Sequence, residues 1–461
     1  MGYSLAEIVG PYGLQLRKMF YLVTPWETTY RTLEDVPLFL DEAIPWFLLL
    51  IGLDIFMCRV KGMKDEYNFH DFLISGTSGF FQTVLNKVVM RTIEMSMYVW
   101  VFEHWCIYPL PPESAWTWII TFFTVDFFYY WLHRAAHEIN ILWAIHQSHH
   151  NSEYFTLATA LRMGFFQQVF ARIFYLPQAL FIPPAMHMAH EALNRLYQFW
   201  THTPVIGRLG PLEWILNTPS HHRVHHGRNR YCIDRNYAGT LIIWDRLFGT
   251  FQPELDSEPV VYGLTHNIMC YDPIKLEFGH LVHILFEKVP SMNGLTNKLK
   301  AIFYGPGWAP GKPRLGDLAD IPEIEYPVVK YQSGVANWVS VYALYHCIAI
   351  LMNYKSFIPR MKIFPWSVHL EYAFSIALAY FTLGNALDRV WWIGYVEVAR
   401  SLINYYRINP YAWPPGTMLT IVQVGSFLSA ALWFVLMMMF RKNVFQVDFT
   451  LRAKTADKKV K

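Results

Sequence analysis

Residues 126–138 read Asp126-Phe-Phe-Tyr-Tyr-Trp-Leu-His133-Arg-Ala-Ala-His137-Glu138, and residues 143–150 read Trp143-Ala-Ile-His146-Gln-Ser-His149-His150. A distant stretch answers them: Ser220-His221-His222-Arg-Val-His225-His226. Nine of the chain's 19 histidines stand in these three clusters. His133 and His137 are four apart, so they share one face of a helix. His146, His149 and His150 follow at i, i+3 and i+4, and His222, His225 and His226 repeat that spacing. Converging neutral imidazoles form a site for a borderline transition metal. Eight such ligands exceed what one ion accepts, so the pattern predicts two ions held mainly by nitrogen.

A structural zinc site closes with four ligands and often uses Cys, and no Cys falls inside the clusters. An all-nitrogen cage suits Fe(II), and it suits zinc as well. His221 competes with His222 for the third cluster. Adjacent helical residues point about 100° apart, so one of the two is the ligand, and His222 repeats the spacing of the earlier box. His70, His104, His346 and His369 are isolated and read as ordinary side chains. His187 and His190 read as packing or interface residues. Asp126, Tyr130, His133 and His137 fall on one helical stripe. A carboxylate in hydrocarbon is costly, so that stripe faces inward. Asp126 either orients an imidazole from behind or makes a helix-packing hydrogen bond.

Composition places this site at a membrane. The 461 residues are 54% apolar, 17% aromatic and 16% charged, with mean hydropathy +0.19. Soluble domains carry about 25% charge. A net charge of +3 is too small to argue for nucleic acid. Five cysteines without a Cys-x-x-Cys pair read as free thiols. No cleaved signal peptide is evident at the N-terminus, and Gly2 lacks the Ser or Thr at position 6 that myristoylation expects.

The expected fold is all-α: a multi-pass integral membrane protein with a histidine-rich di-metal helical core on the cytosolic side. The expected divisions are a leader at 1–42, a membrane-embedded catalytic domain at 43–254, a polar connector at 255–330, a C-terminal transmembrane block at 331–440 and a basic cytosolic tail at 441–461. Candidate spans are 43–60, 93–108 and 115–132, then an apolar block at 165–200 broken by Pro177, Pro183 and Pro184. Further spans follow near 335–353, 367–386, 388–404 and 417–440. Segment 274–287 has a helical period that suits the membrane surface. Arg134, Arg223, Arg228 and Arg230 flank the clusters and argue for a cytosolic site. Lys458 and Lys459 near the end resemble a dilysine signal for the endoplasmic reticulum membrane.

The three boxes, His-x3-His and twice His-x2-His-His, resemble the fatty acid hydroxylase and sterol desaturase superfamily of membrane di-iron oxygenases. The run from Asn217 to Gly227, followed by Asn236 to Phe251 with Trp244-Asp245, and the layout of the whole chain resemble the ether-lipid-cleaving branch of that superfamily. That resemblance implies two Fe ions, dioxygen, tetrahydrobiopterin as electron donor with a pterin-recycling reductase behind it, and an ether-lipid substrate. It implies hydroxylation of the carbon next to the ether oxygen, releasing a fatty aldehyde and a glycerol derivative. By its place in the resemblance, His202 is a ninth ligand. The metal set is then His133, His137, His146, His149, His150, His202, His222, His225 and His226. Glu138 is either a support for a neighbouring ligand or a surface carboxylate. Tyr237 is either a pocket residue or a packed aromatic. No pterin-contacting residue is legible. Two other functions compete: a sterol or fatty-acid hydroxylase or desaturase fed by cytochrome b5, and a metal transporter or zinc-binding scaffold.

Overall fold

A computed structural model describes residues 13–87 and 91–447. Gly2 and the lysine pair near the C-terminus lie outside them. The described residues are helical, with two isolated bridges and no strand. The chain forms two compact units, one of residues 1–270 and 274–331, the other of 271–273 and 332–461.

The first unit contains α1 (Phe39–Val60) and α2 (Phe69–Leu85). Asp41 of α1 pairs with Lys87 just past α2, and Phe72 of α2 packs on the cluster that holds Ile51. Asn68 starts α2 by accepting from the backbone of His70 and Asp71 at 2.8 and 3.1 Å, the usual N-cap device. After α3 (Arg91–Trp105) comes α4 (Ala115–Glu138), which carries the first box. Its helix stops at Ile139, whose backbone is extended, and α5 (Asn140–His150) restarts at once with the second box. Asn140 N–H donates to Tyr304 C=O at 2.8 Å, which replaces the partner lost at the break.

The apolar block at 165–200 becomes α6 (Gln167–Tyr175), a 3₁₀ turn, and α7 (Pro184–Trp200). Pro184 opens α7 where no amide partner is needed. Ala185, Ala189 and Ala192 face Phe39 and Ala43, and these small side chains let α7 approach α1 closely. The third box forms α8 (Pro219–His226), again opened by proline. Then α9 (Ile243–Phe248) ends on Gly249 at φ 75°, the left-handed cap that glycine adopts without strain. Polar segments α10 (Pro273–His283) and α11 (Leu295–Phe303) complete the unit.

The second unit packs α12 (Asn337–Phe357), α13 (Trp366–Leu387), α14 (Ile393–Ile403) and α15 (Thr417–Phe440). Its buried polar centre joins Glu397 and Arg400 of α14 to Tyr342 and His346 of α12 and Ser429 of α15. Buried charges persist in an apolar bundle only when paired in this way.

Two helices among the described residues are long and apolar enough to cross a membrane, Phe39–Val60 and Thr417–Gln446. The first coincides with the candidate span at 43–60 and the second with that at 417–440. The other expected spans do not meet that measure of length and apolarity.

Candidate metal centre

The three boxes meet inside the first unit. His133, His137, His146, His150 and His225 form one group and His149, His202, His222 and His226 a second. Within each group the ligand nitrogens all lie within 4.8 Å of one another, and all nine residues are buried. The two groups are contiguous, for His150 stacks on His226 with ring centroids 4.3 Å apart.

The grouping cuts across the boxes. His146 and His150 join one group while His149 joins the other; His222 and His226 share a group while His225 leaves it. Helix geometry explains this. Residues at i and i+4 differ by about 40° around the axis, whereas i+3 falls about 60° the other way. The second and third box helices therefore each present an imidazole pair to one group and a single ring to its neighbour, while His133 and His137 of the first box stay together.

Main-chain carbonyls fix the rings from outside. Nδ1–H of His133 donates to Tyr237 C=O at 2.8 Å, His149 to Arg162 at 2.8 Å, His202 to Gln198 at 2.8 Å and His225 to Arg235 at 2.9 Å. With Nδ1 protonated, each Nε2 is left as an inward lone pair. Nε2 of His149 and His202 stand 3.3 Å apart, both bare. Two lone pairs at that distance repel unless a cation lies beside both. Nitrogens bound about 2.0–2.1 Å from one ion stand about 3.0–3.4 Å apart. His222 and His202 Nε2 are 2.9 Å apart, and His133 and His146 Nε2 3.0 Å. Nε2 of His137, His225 and His226 is buried with no hydrogen-bond partner, which buried polar atoms rarely tolerate. The donor set fits metal ions.

Burial, and then the crowding of neighbouring imidazoles, holds His137, His150, His222 and His226 well below the ordinary histidine pKa. Burial lowers His149 to about 4. Neutral imidazole is the ligating form.

Behind the rings, buried polar ties set the carbonyls. Arg162 donates to Asp71, Ser75 and Asn151 at 2.6, 3.1 and 2.7 Å, which fixes the carbonyl that holds His149. Asp126 accepts from Thr240 N, Leu241 N, Asn194 Nδ2 and Trp244 Nε1 at 2.7–2.9 Å. None of these partners is an imidazole, so Asp126 braces the loop after the third box rather than a ring. Asp245 accepts from Tyr237 N and Ala238 N at 2.8 Å each. These two carboxylates position the Tyr237 carbonyl under His133. Gly239 allows the loop to lie on α4, because a Cβ there would stand 2.8 Å from Tyr129 and Asn194 and 3.0 Å from Asp126.

Glu138 accepts from Arg134 at 2.7 Å and Arg314 at 2.8 Å, and neither partner is a ligand ring. The Tyr237 ring lies 5.3 Å from that of His137, and its hydroxyl is buried without a hydrogen bond. His221 belongs to neither group; its ring lies beside Phe251 at 5.3 Å. Arg162, Asn217 and Asp245 were not singled out by sequence reasoning for these roles. Asn217 donates to the carbonyls of Ala238 and Gly239 at 2.6 and 3.2 Å. Both lie in the quoted runs, where Asp245 stands out as a carboxylate among the apolar residues of 241–248.

A cavity of about 310 Å³ reaches this centre. His146, His149 and His202 line one part, apolar side chains such as Phe47 and Leu161 line its walls, and Asp41, Lys87 and Arg195 line the rest.

A shell of nine buried histidines served by an apolar cavity has the character of a lipid-oxidising hydroxylase, and residues 118–250 match the fatty acid hydroxylase family model. The chain is 44% identical to alkylglycerol monooxygenase of Xenopus tropicalis over 84% of its length and 86% of that protein. It is 48% identical to the Homo sapiens protein of that name over 74% of this chain and 75% of the relative. The Caenorhabditis elegans relative is 36% identical, with 85% and 81% covered. No solved structure matches the chain. The chain belongs to the alkylglycerol monooxygenase family, a family of oxidoreductases.

Proposed function

We propose that the protein is a membrane monooxygenase that hydroxylates the ether-linked carbon of alkylglycerols and lyso-ether lipids, using dioxygen and tetrahydrobiopterin. The observation that carries this reading is the pair of carbonyl-backed imidazole groups at the end of a largely apolar cavity. The five-ring and four-ring groups would each hold one iron. Iron with dioxygen supplies, when bound, the oxidising power that an unactivated C–H bond requires and side chains lack.

The chain's own work is placement. Carbonyls of Tyr237, Arg162, Gln198 and Arg235 keep the rings in one tautomer and orientation. Asp126 and Asp245 hold the loop that supplies the first of these carbonyls. Glu138, clamped by Arg134 and Arg314, fixes the end of α4 beside His137. Tyr237 closes the shell and offers its unpartnered hydroxyl as a proton donor. Phe47 and Leu161 keep water from the lipid tail. Once the ether carbon carries a hydroxyl, the product is a hemiacetal. Its C–O bond to glycerol breaks, the hydroxyl proton passes to the leaving oxygen, and a fatty aldehyde remains.

We further place the protein in the endoplasmic reticulum membrane with its metal groups facing the cytosol, on the positive flanks Arg134, Arg223, Arg228 and Arg230 and the lysine-rich tail. Residues 43–254 would then be the catalytic domain, between the leader at 1–42 and the connector at 255–330. Residues 331–440 would be a C-terminal transmembrane block and 441–461 a basic cytosolic tail. The test uses purified full chain with its metal content measured. Dioxygen-dependent release of aldehyde from an alkylglycerol is expected with tetrahydrobiopterin and is lost in His149→Ala and His225→Ala. Turnover driven by cytochrome b5 without pterin, or two bound zincs with no turnover, refutes it.

A further inference from the structure

Two guanidinium groups share one carboxylate among the charged side chains that line the cavity. Of the charged side chains lining it, Asp41 and Lys87 pair with one another. Arg172 takes the carboxylate of Glu191 at 2.5 Å. Arg195, one turn along α7 from Glu191, reaches the same carboxylate only at 3.4 Å. Its Nε is buried and makes no hydrogen bond. A guanidinium offers five N–H donors in a planar fork. An unsatisfied guanidinium donor at the wall of an apolar cavity is stabilised by a ligand that accepts from it.

Its position fits one class of ligand. Arg195 lies on α7 and His202 just past its end, and both line the cavity. In a glyceryl ether, five bonds separate the carbon next to the ether oxygen from the terminal head-group oxygen. At about 1.2 Å per bond in an extended chain that spans about 6 Å. Thr83, Asn86 and Lys87 add polar lining.

We propose that Arg195 is a head-group-binding residue: its guanidinium donates to the hydroxyl or phosphate oxygens of an ether lipid and so sets the ether carbon against the metal groups. This rests on the ether-lipid reading above and deepens it. Arg195 is a positioning residue, distant from the reacting atoms.

The experiment compares full-length wild type, R195Q and R195K in the membrane, with three ethers of one alkyl chain. One is an alkylglycerol, one its phosphate-bearing counterpart and one an alkyl methyl ether without head-group oxygens. KM and kcat are measured, together with metal content and anaerobic binding of each lipid. R195Q is expected to raise KM for the alkylglycerol about 10- to 100-fold, the worth of a charged hydrogen bond. The methyl ether and metal content should be unaffected, and R195K should restore part of the loss. A larger loss with the phosphate lipid assigns charge recognition; equal losses assign the hydroxyls; either upholds the site. Equal loss on all three lipids, or no change on any, overturns it. Arg195-dependent anaerobic binding without wild-type turnover would preserve the site and refute the function instead.

Discussion

Asp126→Asn is the sharpest test of how the metal groups are held. The carboxylate is fully buried on α4. One oxygen accepts from Thr240 N and Asn194 Nδ2 at 2.7 and 2.8 Å, the other from Leu241 N and Trp244 Nε1 at 2.9 Å each. Asparagine keeps the volume, so no cavity forms. It keeps one acceptor oxygen and turns an amide NH₂ toward two donors. Whichever way the amide sits, two charge-assisted bonds are lost, at about 1.5–3 kcal/mol each. The expected cost is about 3–6 kcal/mol, a large share of a typical stability of about 5–15 kcal/mol. The damage is local first. The loop that loses its anchor carries the Tyr237 carbonyl that holds His133, so metal should leave before the fold melts. Detergent-solubilised full chain is followed by tryptophan fluorescence on heating, with iron measured on the same sample. A D126N protein with wild-type melting midpoint and metal content would refute the brace.

Three further outcomes follow from the same geometry. His222→Ala should lower metal content and abolish turnover, whereas His221→Ala, which removes a ring outside both groups, should keep its metal; elemental analysis of the pair decides between them. Arg162→Met strands the buried Asp71 carboxylate and should cost about 3–5 kcal/mol, read as a fall in melting temperature with loss of metal from the four-ring group. Metal-free protein should be acid-labile, because His149 in the fold is lowered to about 4 while the unfolded value is about 6.5. The unfolded chain thus binds more protons, so stability is full above about pH 6.5 and falls as pH drops toward about 4. At about pH 5.5 this one ring costs about 1.4 kcal/mol, and the other eight shift in the same direction. A melting midpoint of chelated protein that stays flat over that range would contradict it.

The histidine spacings by themselves determined that three short helices present imidazoles on shared faces, because helical periodicity is a local property of the backbone. Composition determined the apolar, helical character of the chain for the same reason: it sums residue by residue. Which ring joins which group was decided only by packing. His149 parts from His146 and His150, and His225 from His222 and His226, because the second and third box helices each face both groups. His202 has no periodic partner in sequence, and its place came from likeness to a family. The carbonyls that lock the rings belong to Tyr237, Arg162, Gln198 and Arg235, which no side-chain pattern marks, since a main-chain oxygen is common to every residue. Asp126 shows the limit most clearly. Its stripe with His133 and His137 was legible, yet its partners lie more than sixty residues away on another helix and a loop, and long-range hydrogen bonds leave no period in a sequence.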